Sequence, residues 1–183
     1  MAERHADPRA LDVAAFCRQE GELDGRWPLA GMKRLADSLL ELHDAASADW
    51  SARGSQVPVT GGAPEVWLHL RGSATVTLEC QRCLRPVDEA LAVDRRFRFV
   101  DDEDEALRLD EECEDDVMQM PQRLDLHALL EDELILALPI VPRHEVCPQP
   151  LPHTPAPEEA DAKPNPFAAL AALRGRVPPG ETE

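Results

Sequence analysis

Val66-Trp67-Leu68-His69-Leu70-Arg71-Gly72-Ser73-Ala74-Thr75-Val76-Thr77-Leu78-Glu79 decides the fold. Val66, Leu68 and Leu70 alternate with Trp67, His69 and Arg71, and Ala74, Val76 and Leu78 alternate with Thr75, Thr77 and Glu79. A period of two marks strands with one buried and one wet face. Gly72-Ser73 between the runs predicts a β-hairpin turn. The alternating pattern starts near Asp49. Downstream, Val87 to Val100 is rich in β-formers and arginine and predicts a further strand pair. The middle of the chain therefore reads as an antiparallel sheet.

Helical signals flank it. Upstream, Leu11–Arg18 reads as a short helix or turn and Gly21–Pro28 as an extended segment ending at Trp27. Met32, Leu35, Ala36, Leu39 and Leu40 predict a helix over Gly31–Leu42. Downstream, Asp125 is an N-cap for a helix running to Leu138 and stopped by Pro139. Its apolar face is Leu126, Leu129, Leu130, Leu134, Ala137 and Leu138, interrupted by Glu131, Asp132 and Glu133, which are expected on a solvated edge. The fold class expected is α+β: an antiparallel sheet with packed helices over residues 8–147, after a disordered N-terminus at 1–7. Asp101 to Asp116 holds eleven acids and one arginine, and a density that resists burial predicts a solvated acidic loop, 101–116. Residues 148–183 are expected to form a flexible Pro-rich linker and a short docking helix. That helix is capped by Asn165 with Pro166 at its first position, and it presents Phe167, Leu170 and Leu173 to a partner or to the domain itself.

Charge limits the function classes. With 36 acidic and 19 basic residues the net charge is -17, which repels phosphate backbones and favours basic partners. The chain has no tyrosine and 4% aromatic residues, a poor stock for stacking bases. No export signal or membrane span is expected: the longest mainly apolar run, Leu134–Val141, is too short. A cytoplasmic protein with reduced thiols follows.

Chemistry is concentrated at Cys80-Gln81-Arg82-Cys83. Two thiols separated by two residues in a turn can converge on one metal, and His144 and Cys147 repeat the spacing, with 60 residues between Cys83 and His144. Together they would make a Cys₃His zinc set. The competing reading, which the sequence alone favours, is isolated reduced thiols at a turn; a thioredoxin-like redox motif lacks its βαβ setting. A second candidate is an arginine surface, Arg82, Arg85, Arg95, Arg96 and Arg98 with Arg71, which could contact RNA phosphates if one sheet face held them all. The plainer expectation is a solvated strand face, paired internally. Glu131-Asp132-Glu133 could bind magnesium, but successive helical positions point about 100° apart and do not converge on one ion. No catalytic motif is present, and an enzyme is not expected.

Three blocks in order resemble the bacterial YceD family, the large ribosomal RNA subunit accumulation proteins. They are Thr77–Leu84 around the cysteine pair; Asp125-Leu126 leading through Leu130–Pro139 to Val141-Pro142 and His144; and Lys163–Ala168 with Leu170 and Leu173. The resemblance implies a cytosolic role in synthesis, processing or stability of large-subunit ribosomal RNA. It carries over no catalytic residues. The expected function is a ribosome-biogenesis accessory protein that binds ribosome-assembly or RNA-processing proteins, with ribosomal RNA affected indirectly. A direct RNA-binding protein and a metal-dependent RNA-processing enzyme are the rivals.

Overall fold

The computed structural model describes residues 6–113 and 115–148. Its centre is one five-stranded sheet in the order β1-β2-β3-β4-β5. The strands are β1 Glu22–Pro28, β2 Ser47–Val57, β3 Glu65–Glu79, β4 Pro86–Val100 and β5 Asp116–Gln119. Neighbours are antiparallel except β4 and β5, which run parallel. Helices α1 Val13–Arg18, α2 Lys33–Ala36 and α4 Leu126–Leu136 cover one face, while α3 Glu103–Glu112 packs beside β5. The α+β class expected from sequence is the one observed.

Alternation carries the layering. Ala48, Trp50 and Ala52 of β2, Leu68, Leu70, Ala74 and Val76 of β3, and Leu91, Val93, Phe97 and Phe99 of β4 are buried under the helices. Asp49, Arg53, Arg71, Ser73, Asp94 and Arg96 are exposed on the other face.

The expected hairpin turn at Gly72-Ser73 is absent. β3 runs straight through it, with Gly72 opposite Trp50 on one side and Val93 on the other. The glycine answers a different need, because a Cβ there would lie 2.4 Å from Leu130 Cδ1 of α4. The missing side chain lets the helix settle onto the sheet. Gly54 does the same for α1: an added Cβ would meet Phe16 Cδ1 at 2.8 Å and the Cys17 Cα at 2.9 Å. β4 is likewise one strand of 15 residues, not a pair. The true hairpin turn is Cys80–Arg85, so the cysteine pair sits at the tip of the longest ribbon.

α4 begins as expected. Asp125 Oδ1 accepts from the His127 and Ala128 N–H groups at 2.9 and 3.2 Å. Leu126, Leu130 and Leu134 are fully buried, each worth about 1.5–3 kcal/mol of transfer free energy. Leu129 is half-buried. Two other segments depart from expectation. The helix foreseen over Gly31–Leu42 shrinks to a 3-10 turn at Leu29–Gly31 and the four residues of α2; Glu41 already bridges to Thr77 of β3. The acidic stretch 101–116 is not a loop. Asp102 caps α3 by accepting from Glu105 N–H, and Glu103, Asp104 and Glu105 in the first turn suit the positive end of its dipole. Only Ala106 of α3 is buried, so the acids remain in water, and β5 follows.

The linker and docking-helix residues, Phe167, Leu170 and Leu173 included, lie outside the described residues, as do residues 1–5. Among the described residues no helix is long and apolar enough to cross a membrane.

Candidate metal centre

The Cys80–Arg85 turn is built by its own backbone. Cys80 N–H donates to Arg85 O at 2.9 Å and Leu84 N–H to Cys80 O at 2.8 Å. Leu84 takes φ +55°, the left-handed conformation that reverses the chain within so few residues. The segment leaving α4 is tied to this turn, because Gln81 N–H donates to Pro142 O at 2.9 Å. That bond brings the second ligand pair to the first.

The Sγ atoms of Cys80, Cys83 and Cys147 and a ring nitrogen of His144 all lie within 4.8 Å of one another. A tetrahedral zinc with Zn–S near 2.3 Å needs sulfur–sulfur separations of about 3.8 Å, so a small adjustment closes the set. The histidine is prepared for this role. Its Nε2 lies 2.9 Å from Pro86 O and donates to it. That leaves the Nδ1 lone pair facing Cys83 Sγ at 3.5 Å. Fixing one ring nitrogen by a backbone carbonyl is how ligating imidazoles are oriented.

The electrostatics agree. Burial alone would push the Cys80 thiol up. The backbone N–H groups of His144, Arg82 and Cys83 and the His144 side chain favour the thiolate and hold it at about 5. Burial and the neighbouring Cys83 and Cys80 push the Cys147 thiol up, the effect of crowding thiols round one negative charge. A dication at their centre would relieve that crowding. Four protein ligands would leave a tetrahedral ion no open position, the arrangement of a structural site. The remaining thiols stand apart: Cys17 is buried and its S–H donates to Trp67 O at 3.2 Å, and Cys113 is exposed.

The arginines foreseen as one surface occupy three places. Arg82 and Arg85 belong to the cysteine turn. Arg95 faces the helices, with Nε 3.2 Å from Glu133 Oε2. Only Arg96 and Arg98 share the outer sheet face with Arg71. There Arg98 pairs with Glu65 at 2.9 Å and Arg71 with Asp94 at 3.1 Å, while Arg96 lies 3.9 Å from Asp115 and 4.7 Å over the Trp67 ring. Asp94 also holds His69 at 2.5 Å, a partnership that draws its carboxyl below the ordinary range.

Glu131 and Glu133, expected on a solvated edge, are both buried. Glu131 Oε1 accepts from the Arg34 and Leu35 N–H groups at 2.6 and 3.2 Å, capping α2, and Oε2 pairs with the Arg34 guanidinium at 3.1 Å. Burial works against its charge, but these donors prevail and its pKa falls below the ordinary value. Among the described residues Glu133 pairs with Arg95 alone, and burial raises its pKa. Glu133 lies seven residues after Leu126, in line with the buried stripe of α4, and that spacing puts it under cover.

The family model described as large ribosomal RNA subunit accumulation protein YceD matches residues 68–174, from within β3 past the whole Cys₃His set. The chain belongs to the YceD family. A relative from Haemophilus influenzae, a large ribosomal RNA subunit accumulation protein YceD, is 42% identical over 174 residues, covering 91% of this chain and 95% of its own. No solved structure matches. The YceD match thus includes both halves of the cysteine corner and α4, which carries one half to the other.

Proposed function

We propose that this protein is a ribosome-biogenesis accessory factor, needed for synthesis, processing or stability of large-subunit (23S) ribosomal RNA. It acts in the cytoplasm by binding rather than by catalysis, with one structural zinc held by Cys80, Cys83, His144 and Cys147. The ribosomal role rests on the name of the relative. What supports the binding reading is the closure of the ligand set: four donor atoms lie within 4.8 Å of one another, and a tetrahedral ion that they held would keep no open position. When bound, the metal would fasten the β3–β4 hairpin tip to the segment after α4. It would fix a surface rather than activate a molecule. The candidate magnesium acids of α4 are engaged within the protein, Glu131 by α2 and Arg34, Asp132 by Arg34, and Glu133 by Arg95. The net charge of -17 favours basic assembly proteins as partners, with ribosomal RNA reached through them.

The test has two arms. Depleting the protein from its host should lower large-subunit relative to small-subunit ribosomal RNA, and a Cys80→Ser/Cys83→Ser variant should restore it poorly. A tagged protein should recover assembly or processing proteins, and deleting residues 163–176 should reduce that recovery. An unchanged ratio of subunit RNAs after depletion defeats the proposal, and turnover of precursor RNA by the purified protein defeats its non-catalytic half.

A further inference from the structure

The sheet has two edges, and they are finished differently. At the β5 edge the strand is four residues long, and the Val117 N–H is taken by Asp110 Oδ1 of α3 at 3.0 Å. Short strands and side chains over the backbone are how proteins close an edge. β1 is the opposite edge: among the described strands it pairs with β2 alone.

The ladder fixes which backbone groups β1 leaves outward. Gly54 N–H donates to Gly21 O, and Leu29 N–H to Ala46 O, so the odd-numbered residues of β1 face β2. The N–H and C=O groups of Glu22, Asp24 and Arg26, with the C=O of Pro28, therefore point away from the sheet. On the outer face Asp24 is exposed with no ion-pair partner among the described residues. Arg26 engages Asp49 through Nε and Nη2 at 2.6 and 3.0 Å, leaving Nη1. On the inner face Leu23 and Trp27 are half-buried against the core, Trp27 stacked on Trp50 at 4.1 Å between centroids.

We infer that β1 is the site of self-association, pairing antiparallel with β1 of a second copy about a two-fold axis through Gly25, because Asp24 and Arg26 are then mutually complementary across the axis. This register sets Asp24 opposite Arg26 twice and Leu23 opposite Trp27 twice, with Gly25 facing Gly25. The outward groups supply six hydrogen bonds, two in each Asp24–Arg26 pair and one from each Glu22 N–H to the opposing Pro28 carbonyl. Pro28 sits where its missing N–H costs only one bond per copy. Sliding the strands by two residues places Asp24 against Asp24 or Arg26 against Arg26, so charge selects a single register. The dimer extends the sheet to ten strands and continues both faces across the axis. It must overcome repulsion between two copies of charge -17, so physiological salt, with its Debye length of about 8 Å, is the condition to use.

Sedimentation equilibrium of the full chain from micromolar to millimolar concentration should show the mass rising from 20.2 kDa toward twice that value. Asp24→Pro removes an outward N–H and the Asp24 carboxylate but no hydrogen bond between β1 and β2, and should hold the mass at the monomer while the unfolding midpoint stays that of the wild type. Asp24→Lys alone and Arg26→Asp alone should each stay monomeric, and mixing the two should restore the dimer, since each contact then joins opposite charges. A wild-type mass that never leaves the monomer overturns the inference, as does a dimer that survives Asp24→Pro. Failure of the mixed charge variants to associate overturns the register.

Discussion

The cysteine corner and the outer sheet face both gather side chains able to meet a ligand, and they use them in opposite ways. At the corner, four donor atoms from two distant segments converge and crowd one another. On the outer face, Arg26, Arg53, Arg71 and Arg98 each have an acid within 4.0 Å in the same molecule. Thiols and an imidazole that crowd one another could be completed by an ion; arginines already matched to acids are a finished surface. Counting arginines in the sequence therefore overstates what the sheet can offer to RNA.

The corner is where disruption should act most. Cys80→Ser/Cys83→Ser should reduce bound zinc from one equivalent to under a tenth, measured by metal analysis after purification without chelator. The unfolding midpoint should fall with it, since metal bound only by the folded state stabilises that state. Chelation of the wild type should reproduce the fall and leave the variant unmoved. Full zinc in the variant would remove the corner from the comparison.

Gly72→Ala strikes the corner from a distance. A methyl group 2.4 Å from Leu130 Cδ1 makes that buried side chain turn or α4 shift, at about 1–3 kcal/mol. Because α4 delivers His144 and Cys147, zinc affinity measured by chelator competition should weaken too. A loss of stability with unchanged affinity would show that the segment after α4 places itself.

Glu131→Gln should cost about 1–3 kcal/mol at neutral pH by removing charge-assisted bonds to α2. The folded pKa of Glu131 lies below its unfolded value, so its contribution is present above the unfolded pKa and lost as pH falls through the folded one. The gap between variant and wild type should close on acidification below about pH 4 in denaturant titrations. Glu133 has the opposite sign. With its folded pKa raised, the ionised form is a cost at neutral pH, and Glu133→Gln should cost less than Glu131→Gln there. Equal losses would mean that the two acids share one environment.

The smallest effect belongs to the outer face. Arg71→Ala or Arg96→Ala should each change stability by about 0–1 kcal/mol, the range of exposed ion pairs. If the face is finished, the triple variant Arg71→Ala/Arg96→Ala/Arg98→Ala should leave any RNA binding unchanged in a salt-titrated assay. A steep loss would revive the phosphate reading.

Local signals in the sequence were legible wherever neighbours in the chain decide the outcome. Asp125 as cap, Leu126, Leu130 and Leu134 as core, the alternation through β3, and the matched spacing of the ligand pairs could all be read directly. What misled was settled by residues far away. Gly72-Ser73 has turn chemistry, and only Leu130, 58 positions later in the chain, makes it a socket. Glu131 looks solvated until Arg34 and the α2 amides arrive from 97 residues away. The acidic stretch is different, because its helix was readable. Asp102 followed by acids in the first turn is a start signal, outweighed in the reading by the charge density of the segment.

The hairpin tip and the segment after α4 meet although α3 lies between them in the chain. Trypsin cutting at Arg108, exposed on α3, would sever the backbone and still leave one particle. One fragment would hold β1 to β4 with Cys80 and Cys83, the other β5 and α4 with His144 and Cys147. A metal held there would then be a clasp between two polypeptides, each bringing half of its ligands, beside the β4–β5 ladder and the buried face of α4 that also join them.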